Sequence, residues 1–495
     1  MAKTTSTGFS PLVRVSDDTA IAKHEQIAQE LRVAMELGYL STGTRLASTR
    51  VLANDWGVSR NTVMQVFASL SAEGYIASRT GDGTYVIWRN HGVTQAPSQA
   101  ADTAEKYPFR RLSRRGRALV AEPEFGLPDR PLPFMPNVPD FRLFPMSSWL
   151  RLMNEVSGRL TGQALVGVST AGYLPLRQAI VHHVSVARGR ICDAEQIIIT
   201  TGSQQAHDLA VRLLCDRGDP VWMEEPGYLG IKGVLSANGC NIQNVPVDGD
   251  GIDVEFGIAN LLSPRLICVT PARQFPTGAT LSAERRAGLL DFAASCGAWI
   301  IEDDFDAEFH FSKQAPHSLG ARNSGDRVVL IGTFSTTLVP SLRLGYIIVP
   351  PDLILPFTVA RAISQGYASL LEQMVLAEMM NRGIYVAHTR RMRKLYRARQ
   401  DALADELASH LGYRPPERER ASGMHIVLPL IDAADDRKIT SQLAAQGVLT
   451  RALSPHYALK TKSKGLLLGF AAFSESQLAA ASLYLAPLDG LVARD

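Results

Sequence analysis

The sequence predicts a multidomain protein in which a small helical module with a β-hairpin precedes a large α/β domain. The length of 495 residues is well above the usual domain size of about 150 residues. From residue 131 onward, short apolar runs alternate with helical patterns, which is typical of a largely parallel sheet covered by helices. Residues 91–130 lack such runs and are polar and punctuated by proline. We therefore predict a first domain over residues 17–90, a linker over 91–130 and a second domain over 131–495.

The composition is that of an ordinary globular protein. Hydrophobic residues make up 46% and charged residues 20%, which excludes a collagen-like or largely disordered chain. The formal net charge is only +3, so binding to a polyanion such as DNA has to be a local property. The 5 cysteines are widely spaced, without a Cys-x-x-Cys pair, and predict neither a disulfide framework nor a metal site. Without a signal-peptide pattern or a long apolar run, we expect a cytoplasmic protein with no membrane partner.

The first domain has the pattern of a helix-turn-helix with a wing. A helix in HEQIAQELRVAMELG is followed by a second helix that Ser48 caps and, after a short turn, by a third that Ser59 caps. The apolar positions of the third helix form one stripe: Val63, Val66, Phe67 and Leu70. The segment GYIASRTGDGTYVIW then predicts two short strands about a Gly-Asp-Gly turn.

Polar side chains at the start of the third helix are candidates for contacts with DNA. Such side chains reach phosphates and base edges when a helix start lies in the major groove. Any one of them alone is more often a solvated helix start, so the argument rests on the ordered set. The predicted DNA-binding residues are Ser59, Arg60, Asn61 and Thr62 on the helix, Arg45, Arg50 and Arg79 as phosphate contacts, and Gly81 and Gly83 in the wing turn.

The ordered set resembles the winged helix of GntR-type regulators. The resemblance is carried by GYLSTGTRLASTRVLANDWGVSRNTVMQVFASLSAEGYIASRTGDGTYV and covers the whole domain. The family's usual proline is replaced by Ala47, which bears on the turn and not on groove contacts. The resemblance implies that double-stranded DNA is a partner of this chain.

The second domain contains six apolar runs that end in turn residues. They predict buried strands of a largely parallel sheet with helices between them. The runs are IIITTG (197–202), PVWMEEPGY (220–228), RLICVTP (265–271), AWIIEDDF (298–305), RVVLIGTF (327–334) and LGYIIVP (344–350). The last hundred residues or so have fewer such runs and predict a small α+β subdomain.

Groups suited to a phosphate and to a ring nitrogen stand where these strands end. Ser203 and Gln204 begin a helix after TTG, and free backbone N–H groups at a helix start favour a phosphate. Asp303 follows an apolar strand, where an acid can hold a ring nitrogen protonated, and Tyr228 can stack on a ring. The segment GTFSTTLVPSLRLGY adds two hydroxyls and a guanidinium for the phosphate: Thr333, Ser335 and Arg343.

Together and in order, these segments resemble the fold-type-I aminotransferases. With the winged helix, the chain resembles the MocR/GabR regulators, in which a DNA-binding domain is joined to an aminotransferase-like effector domain. Further segments agree: GYLPLR (172–177), QFPTG (274–278), HTRRMRKLYRARQDAL (388–403) and GLLLGFA (465–471). The resemblance implies pyridoxal 5′-phosphate as cofactor, a small-molecule effector and a homodimer.

The sequence departs from this family at the groups that perform the chemistry. Thr336 occupies the position of the Schiff-base lysine, and a threonine has no amine, so we predict no catalytic residue. Phe305 stands at the cofactor position where the family's tyrosine would donate to the ring hydroxyl. Arg273 replaces a family residue before Gln-Phe-Pro and is either a ligand-binding residue or a surface or dimer-interface arginine, and Gly167 replaces a tyrosine.

These departures favour a regulator that senses a small ligand without catalysis. The ligand would be pyridoxal phosphate bound noncovalently, an amine or amino-acid adduct of it, or another anionic effector. One alternative is a pyridoxal-phosphate-dependent aminotransferase with an accessory DNA-binding domain, against which the missing lysine argues. Another is a scaffold whose large domain only dimerises, against which Asp303 and Arg343 argue.

Overall fold

The structure is a computed structural model of the chain. It describes residues 22–36, 40, 42–79, 82–88, 112–113, 116, 131–160, 162, 169–311, 316–321, 327–366, 368–458 and 463–494. The chain divides between residues 111 and 112 into two compact units. The 91–130 linker prediction falls almost wholly outside the described residues, as do Gly81 and Gly167.

The N-terminal unit is a three-helix domain with a small antiparallel sheet. Its elements are α1 (Lys23–Glu36), β1 (Arg45–Leu46), α2 (Thr49–Asp55), α3 (Arg60–Ala72), β2 (Ile76–Arg79) and β3 (Gly83–Val86). The strands pair in the order β1-β3-β2. Ser48 caps α2 by accepting a hydrogen bond from the Val51 N–H, and Ser59 caps α3 by accepting one from the Thr62 N–H. The predicted winged helix-turn-helix is therefore confirmed.

One hydrophobic core holds this unit together. Val63, Val66 and Leu70 of α3 are fully buried, with Phe67 packed against the same cluster. Ile27 and Leu31 of α1 face them from the neighbouring helix. The apolar stripe that the sequence predicted on α3 is thus the side of this helix that packs into the core of the domain.

An eight-stranded mixed sheet forms the centre of the C-terminal unit. Its strands are β4 (Ile197–Thr200), β5 (Pro220–Glu225), β6 (Asn241–Asp248), β7 (Gly251–Ile252), β8 (Leu266–Val269), β9 (Trp299–Asp304), β10 (Val328–Thr333) and β11 (Gly345–Ile348). They lie in the order β4-β11-β10-β9-β8-β5-β6-β7. Strands β10, β9, β8, β5 and β6 run parallel to one another, whereas β11 is antiparallel to both β4 and β10, and β7 is antiparallel to β6.

Helices cover both faces of this sheet. They are α4 (Met146–Ser157), α5 (Leu174–Arg188), α6 (Ser203–Leu214), α7 (Leu229–Asn238), α8 (Val254–Asn260), α9 (Ala283–Cys296), α10 (Ile354–Gln365) and α11 (Leu370–Asn381). Strands β4, β8, β10 and β11 are buried along their whole length. This explains their continuous apolar sequences, because a strand between two helical layers exposes no polar face.

A smaller α+β subdomain follows. It contains most of α12 (Ile384–Leu411), then β12 (His425–Leu430), α13 (Asp436–Ala445), β13 (Arg451–Ala452), β14 (Lys464–Gly469) and α14 (Glu475–Ser482). Its three strands pair antiparallel in the order β12-β14-β13. The earlier segment around Phe134 joins it through a bridge to Gly469. The predicted fold class, a winged helix and a large α/β domain with a small α+β part, is confirmed.

Three further findings bear on the sequence expectations. All five cysteines are free thiols. Among the described residues, no group of three or more His, Cys, Asp or Glu side chains is arranged to hold a metal ion. None of the described helices combines the length and the apolar character needed to cross a membrane.

Candidate functional site

The start of α3 is the first candidate site. Arg60 and Asn61 are exposed, and the Arg60 Nε donates to the Thr49 Oγ1 of α2 at 3.2 Å. The Ser59 hydroxyl accepts from the Thr62 N–H at 3.1 Å and lies 2.9 Å from the Thr62 Oγ1. Arg60 and Asn61 therefore present the exposed donors of this helix start, whereas Ser59 and Thr62 are already engaged in the cap.

The predicted phosphate contacts differ in what they touch. Arg50 is exposed on α2. The Arg79 guanidinium lies over the Tyr85 ring, 4.8 Å from its centroid. Arg45 donates to the Asp82 carbonyl of the wing turn, and a Cβ at Gly83 would lie only 2.7 Å from the Arg45 Nε. Arg45 therefore supports the wing, and Gly83 leaves room for it.

The second candidate site is a cavity of about 260 Å³ in the C-terminal unit. It lies where β9 and β10 end and α6 begins, the usual position of a ligand site in an open α/β sheet. All eight residues predicted for the cofactor line it: Ser203, Gln204, Tyr228, Asp303, Phe305, Thr333, Ser335 and Arg343. Thr336 lines it too, with five residues that the site prediction missed: Asn137, Gly202, Thr270, Phe275 and Pro340.

One side of the cavity carries hydrogen-bond donors suited to an anion. Gly202 precedes α6 and provides no side-chain cap, so the first N–H groups of this helix remain available as donors. The Thr333 hydroxyl accepts from the Ser335 N–H at 3.2 Å, which fixes the turn after β10. Arg343 is exposed and follows the Pro340–Leu342 turn in a left-handed conformation, with φ of 50°. This side combines a helix dipole, hydroxyls and a guanidinium.

Asp303 supplies the buried negative charge. Its side chain is 4% exposed, and its Oδ2 lies 3.3 Å from the Nε2 of His207 on α6. Its Oδ1 is buried and has no hydrogen-bond partner among the described residues. A buried carboxylate oxygen without a donor is costly, so the arrangement calls for a donor from a bound molecule.

Another part of the cavity lining is aromatic. The Phe275 ring meets the Tyr228 ring edge to face, with 5.7 Å between centroids, and the Phe305 ring in the same way at 5.9 Å. Burial raises the pKa of Tyr228 to about 12, so its hydroxyl stays protonated. We call Tyr228, Phe275 and Phe305 the aromatic wall.

Thr336 also lines the cavity. Its hydroxyl donates to the Phe305 carbonyl at 2.5 Å, so it is engaged with the backbone. The residues that line the cavity, all of them described, include no lysine. The cavity wall itself therefore offers no amine for a covalent bond to a carbonyl compound.

A buried carboxyl group supports the floor of the cavity. Glu224 accepts from the Thr270 hydroxyl at 2.7 Å and from the Gln274 Nε2 at 3.3 Å. Thr270 in turn accepts from the Phe275 N–H at 3.1 Å. Burial raises the pKa of Glu224 to about 7. The position of the Phe275 ring thus depends on a network that the sequence did not reveal.

Arg273 differs from the sequence expectation. Its side chain is 3% exposed, so a surface position is wrong. It donates to the Ser422 and His425 carbonyls, and its Nη1 lies 3.6 Å from the Asp306 carboxylate. It is not among the residues that line the cavity, and the geometry gives its predicted ligand role no support. A guanidinium that deep in the fold is retained because these internal acceptors compensate its burial.

Comparisons with known families match both units. Residues 23–86 match the bacterial regulatory proteins of the gntR family, and residues 137–481 match aminotransferase class I and II. The probable rhizopine catabolism regulatory protein MocR of Rhizobium meliloti is 37% identical over 459 residues, which cover 92% of this chain and 91% of that protein. The pyridoxine biosynthesis transcriptional regulator PdxR of Corynebacterium glutamicum is 29% identical, with 92% and 93% covered.

A solved enzyme structure resembles the C-terminal unit. LysN, an α-aminoadipate aminotransferase of Thermus thermophilus in complex with N-(5′-phosphopyridoxyl)-L-leucine, superimposes with a TM-score of 0.66. It is 26% identical, and the match covers 72% of this chain and 92% of LysN. The chain therefore belongs to the MocR-type regulators, and it is a DNA-binding transcriptional regulator that joins a gntR-family helix-turn-helix to an aminotransferase class I and II domain.

Proposed function

We propose that this regulator responds to pyridoxal 5′-phosphate, or to an amine or amino-acid adduct of it, held in the cavity without a covalent bond to the protein. The observation that carries the proposal is the buried Asp303 Oδ1, which has no donor among the described residues. A protonated pyridine nitrogen is the donor that would satisfy it. The carboxylate would then hold that nitrogen in its charged form.

The remaining groups of the cavity fit the same molecule. The start of α6 with Ser203, the hydroxyls of Thr333 and Ser335, and Arg343 would hold the phosphate. Tyr228 would face the pyridine ring, Phe305 would lie near the ring hydroxyl, and His207 would orient the Asp303 carboxylate through the 3.3 Å contact. Pyridoxal phosphate supplies an electron sink and an aldehyde that reacts with amines.

Thr336 supports binding without catalysis. By resemblance to fold-type-I aminotransferases it occupies the position of the lysine, and its hydroxyl is engaged with the Phe305 carbonyl. A hydroxyl cannot bond to the aldehyde as an amine does, and it is a poor proton carrier at neutral pH. We therefore favour a sensor over an aminotransferase with an accessory DNA-binding domain.

DNA binding is assigned to the N-terminal unit. Arg60 and Asn61 at the exposed start of α3 would enter the major groove, with Arg50 and Arg79 on phosphates. A ligand changes DNA binding only if it binds two states of the protein with different affinity. We assign those states to a homodimer of the C-terminal unit.

A calorimetric titration tests the ligand. Pyridoxal phosphate is titrated into the full chain, into Asp303→Ala and into Asp352→Ala, which removes an exposed carboxylate from the same unit. We expect Asp303→Ala to lose tenfold to about a hundredfold in affinity, because a hydrogen bond to a charged group is worth about 1.5–3 kcal/mol, and Asp352→Ala to match the wild type. Equal affinity in Asp303→Ala, or no binding by the wild type, would contradict the proposal.

A DNA titration tests the coupling. Duplexes selected by the full chain from a random library are titrated with and without saturating pyridoxal phosphate. We expect the ligand to change DNA affinity by at least about fivefold, the lower end of a typical coupling between sites. An unchanged affinity, with pyridoxal phosphate bound, would leave the cavity without a regulatory role.

A further inference from the structure

The two sides of the cavity differ in a way that bears on the second half of the ligand. Ser203, Ser335, Arg343 and Asp303 make one part of the cavity lining polar. The other side is the aromatic wall, in which Phe275 meets both neighbouring rings edge to face. A molecule anchored by its phosphate and ring nitrogen therefore presents its remaining substituent to one of these two surfaces.

The aromatic wall is backed by apolar side chains. Phe275 packs in one cluster with Leu453 and Leu467, which are 5% and 0% exposed. Val427 and Tyr457 pack against the same cluster from the small subdomain. Among the described residues, the layer that packs directly on the Phe275 ring is thus mainly hydrocarbon, and a charge brought against this ring would lose its water without gaining a partner there.

The histidines that contact the wall are uncharged at neutral pH, and Arg451, whose charge acts on Tyr228, is not among the residues that line the cavity. The rings of His425 and His456 contact the Phe275 ring, with centroids 5.4 Å and 5.3 Å away. Burial lowers the pKa of His425 well below its ordinary value and that of His456 to about 4. Asn137 contributes an amide whose Oδ1 lies 3.1 Å from the His425 Nδ1. A carboxylate placed here meets no histidine cation.

The cation of the cavity stands on the polar side. Of the residues that line it, all of them described, Arg343 alone is basic, and it lies with the groups assigned to the phosphate. Arg273, which is behind the lining, is directed to Asp306 and two carbonyl groups. An α-carboxylate on the ligand would compete with the phosphate for Arg343 or be buried against the wall.

We propose that the half of the ligand derived from the amine is apolar or aromatic and carries no carboxylate, and that it packs on Phe275 and Phe305 while Tyr228 faces the pyridine ring. This inference rests on the proposed function and narrows it from amines and amino acids to uncharged amine side groups. An aliphatic or aryl substituent loses its hydration shell and gains ring contacts on the wall. A carboxylate at the same place is destabilised.

A matched pair of ligands tests the inference. The full chain is titrated with pyridoxal phosphate, with N-(5′-phosphopyridoxyl)phenethylamine and with N-(5′-phosphopyridoxyl)-L-phenylalanine, and the last two differ only in the carboxylate. We expect the phenethylamine adduct to bind at least about tenfold more tightly than the phenylalanine adduct, because the buried carboxylate is unpaired. Equal or tighter binding of the phenylalanine adduct would overturn the inference. Failure of pyridoxal phosphate itself to bind would overturn the proposed function, and the inference with it.

A chain-length series gives a second readout. Phosphopyridoxyl adducts of methylamine, propylamine and pentylamine are compared on the wild type and on Phe275→Leu and Phe305→Leu. Each added methylene buried on the wall is expected to raise affinity about threefold to fourfold. The two variants are expected to flatten this slope. An affinity independent of chain length in the wild type would contradict packing on the aromatic wall. A preference of the wild type for the phenylalanine adduct that is lost in Arg451→Ala would overturn the inference and assign the carboxylate to Arg451, whose charge acts on Tyr228.

Discussion

The two candidate sites are built in opposite ways. At the start of α3, Arg60 and Asn61 are exposed, and the core that holds the helix lies on its other side around Leu70. In the C-terminal unit, Asp303 and Thr336 are 4% and 8% exposed, so the groups of the site are themselves part of the packed interior. The difference teaches that binding and stability are separable in the first unit and linked in the second.

The largest effect is expected from the core of the N-terminal unit. Leu70→Ala removes a fully buried side chain and should lower the opening free energy of this unit by about 3 kcal/mol. Met64→Ala on the same helix, where the side chain is 53% exposed, should change it by less than about 0.5 kcal/mol. Hydrogen exchange at the amides of α1 and α3 in the full chain measures both. A similar loss in the two variants would contradict the assigned inner face of α3.

In the C-terminal unit, we expect the free energy of unfolding to depend on pH through the buried carboxyl group of Glu224. Burial raises the pKa of Glu224 from 4.5 to about 7 in the folded state. Between pH 4.5 and about pH 7, the folded chain therefore keeps a proton on Glu224 that the unfolded chain has released. Its contribution to stability is therefore present below about pH 4.5 and is lost as the pH rises through about 7.

Removing the titrating group isolates this contribution. From pH 4 to pH 8, the stability of Glu224→Gln relative to the wild type should rise by up to about 3 kcal/mol, since one pKa unit corresponds to about 1.4 kcal/mol. Thermal unfolding of the C-terminal unit measures it. Glu255→Gln, which changes an exposed carboxylate on α8, is the control and should show a flat difference. A flat difference in Glu224→Gln as well would mean that this carboxyl is ionised in the fold.

At Arg60, we expect a clear loss of DNA binding and almost no change in stability. Arg60→Ala should weaken binding to the selected duplexes by about 1–3 kcal/mol, while the melting temperature stays the same because the side chain is exposed. Lys23→Ala removes one positive charge from the start of α1 and controls for charge alone. An equal loss of DNA affinity in the two variants would mean that Arg60 contributes only its positive charge to DNA binding.

Local signals in the sequence were sufficient for the first unit. The caps Ser48 and Ser59 and the apolar stripe on α3 depend on residues that are close together in the sequence. The structure has all of them as predicted. The Ser59 hydroxyl accepts from the Thr62 N–H in the cap, and its own O–H is still able to donate, so the cap does not exclude the predicted contact with DNA.

In the second unit, sequence patterns did not predict the direction of every strand or all the contacts of the site. The run LGYIIVP looks like the other buried runs, but β11 is antiparallel to both neighbours, and strand direction depends on where the chain returns to the sheet. His207 contacts Asp303, and Thr270 lines the cavity, because of tertiary packing. No spacing of residues along the sequence indicates either of them. The segment QFPTG, which carries part of the family resemblance, also contains the Phe275 ring that lines the cavity.

The central claim is that the cavity binds pyridoxal phosphate without a covalent bond. The most direct measurement is borohydride reduction of the full chain with pyridoxal phosphate, followed by intact mass and peptide mapping, with Thr336→Lys alongside. We expect the wild type to release the ligand on dialysis and to gain no stoichiometric label at a lysine, whereas Thr336→Lys gains one label at residue 336. A stoichiometric label on a lysine of the C-terminal unit of the wild type would contradict the account.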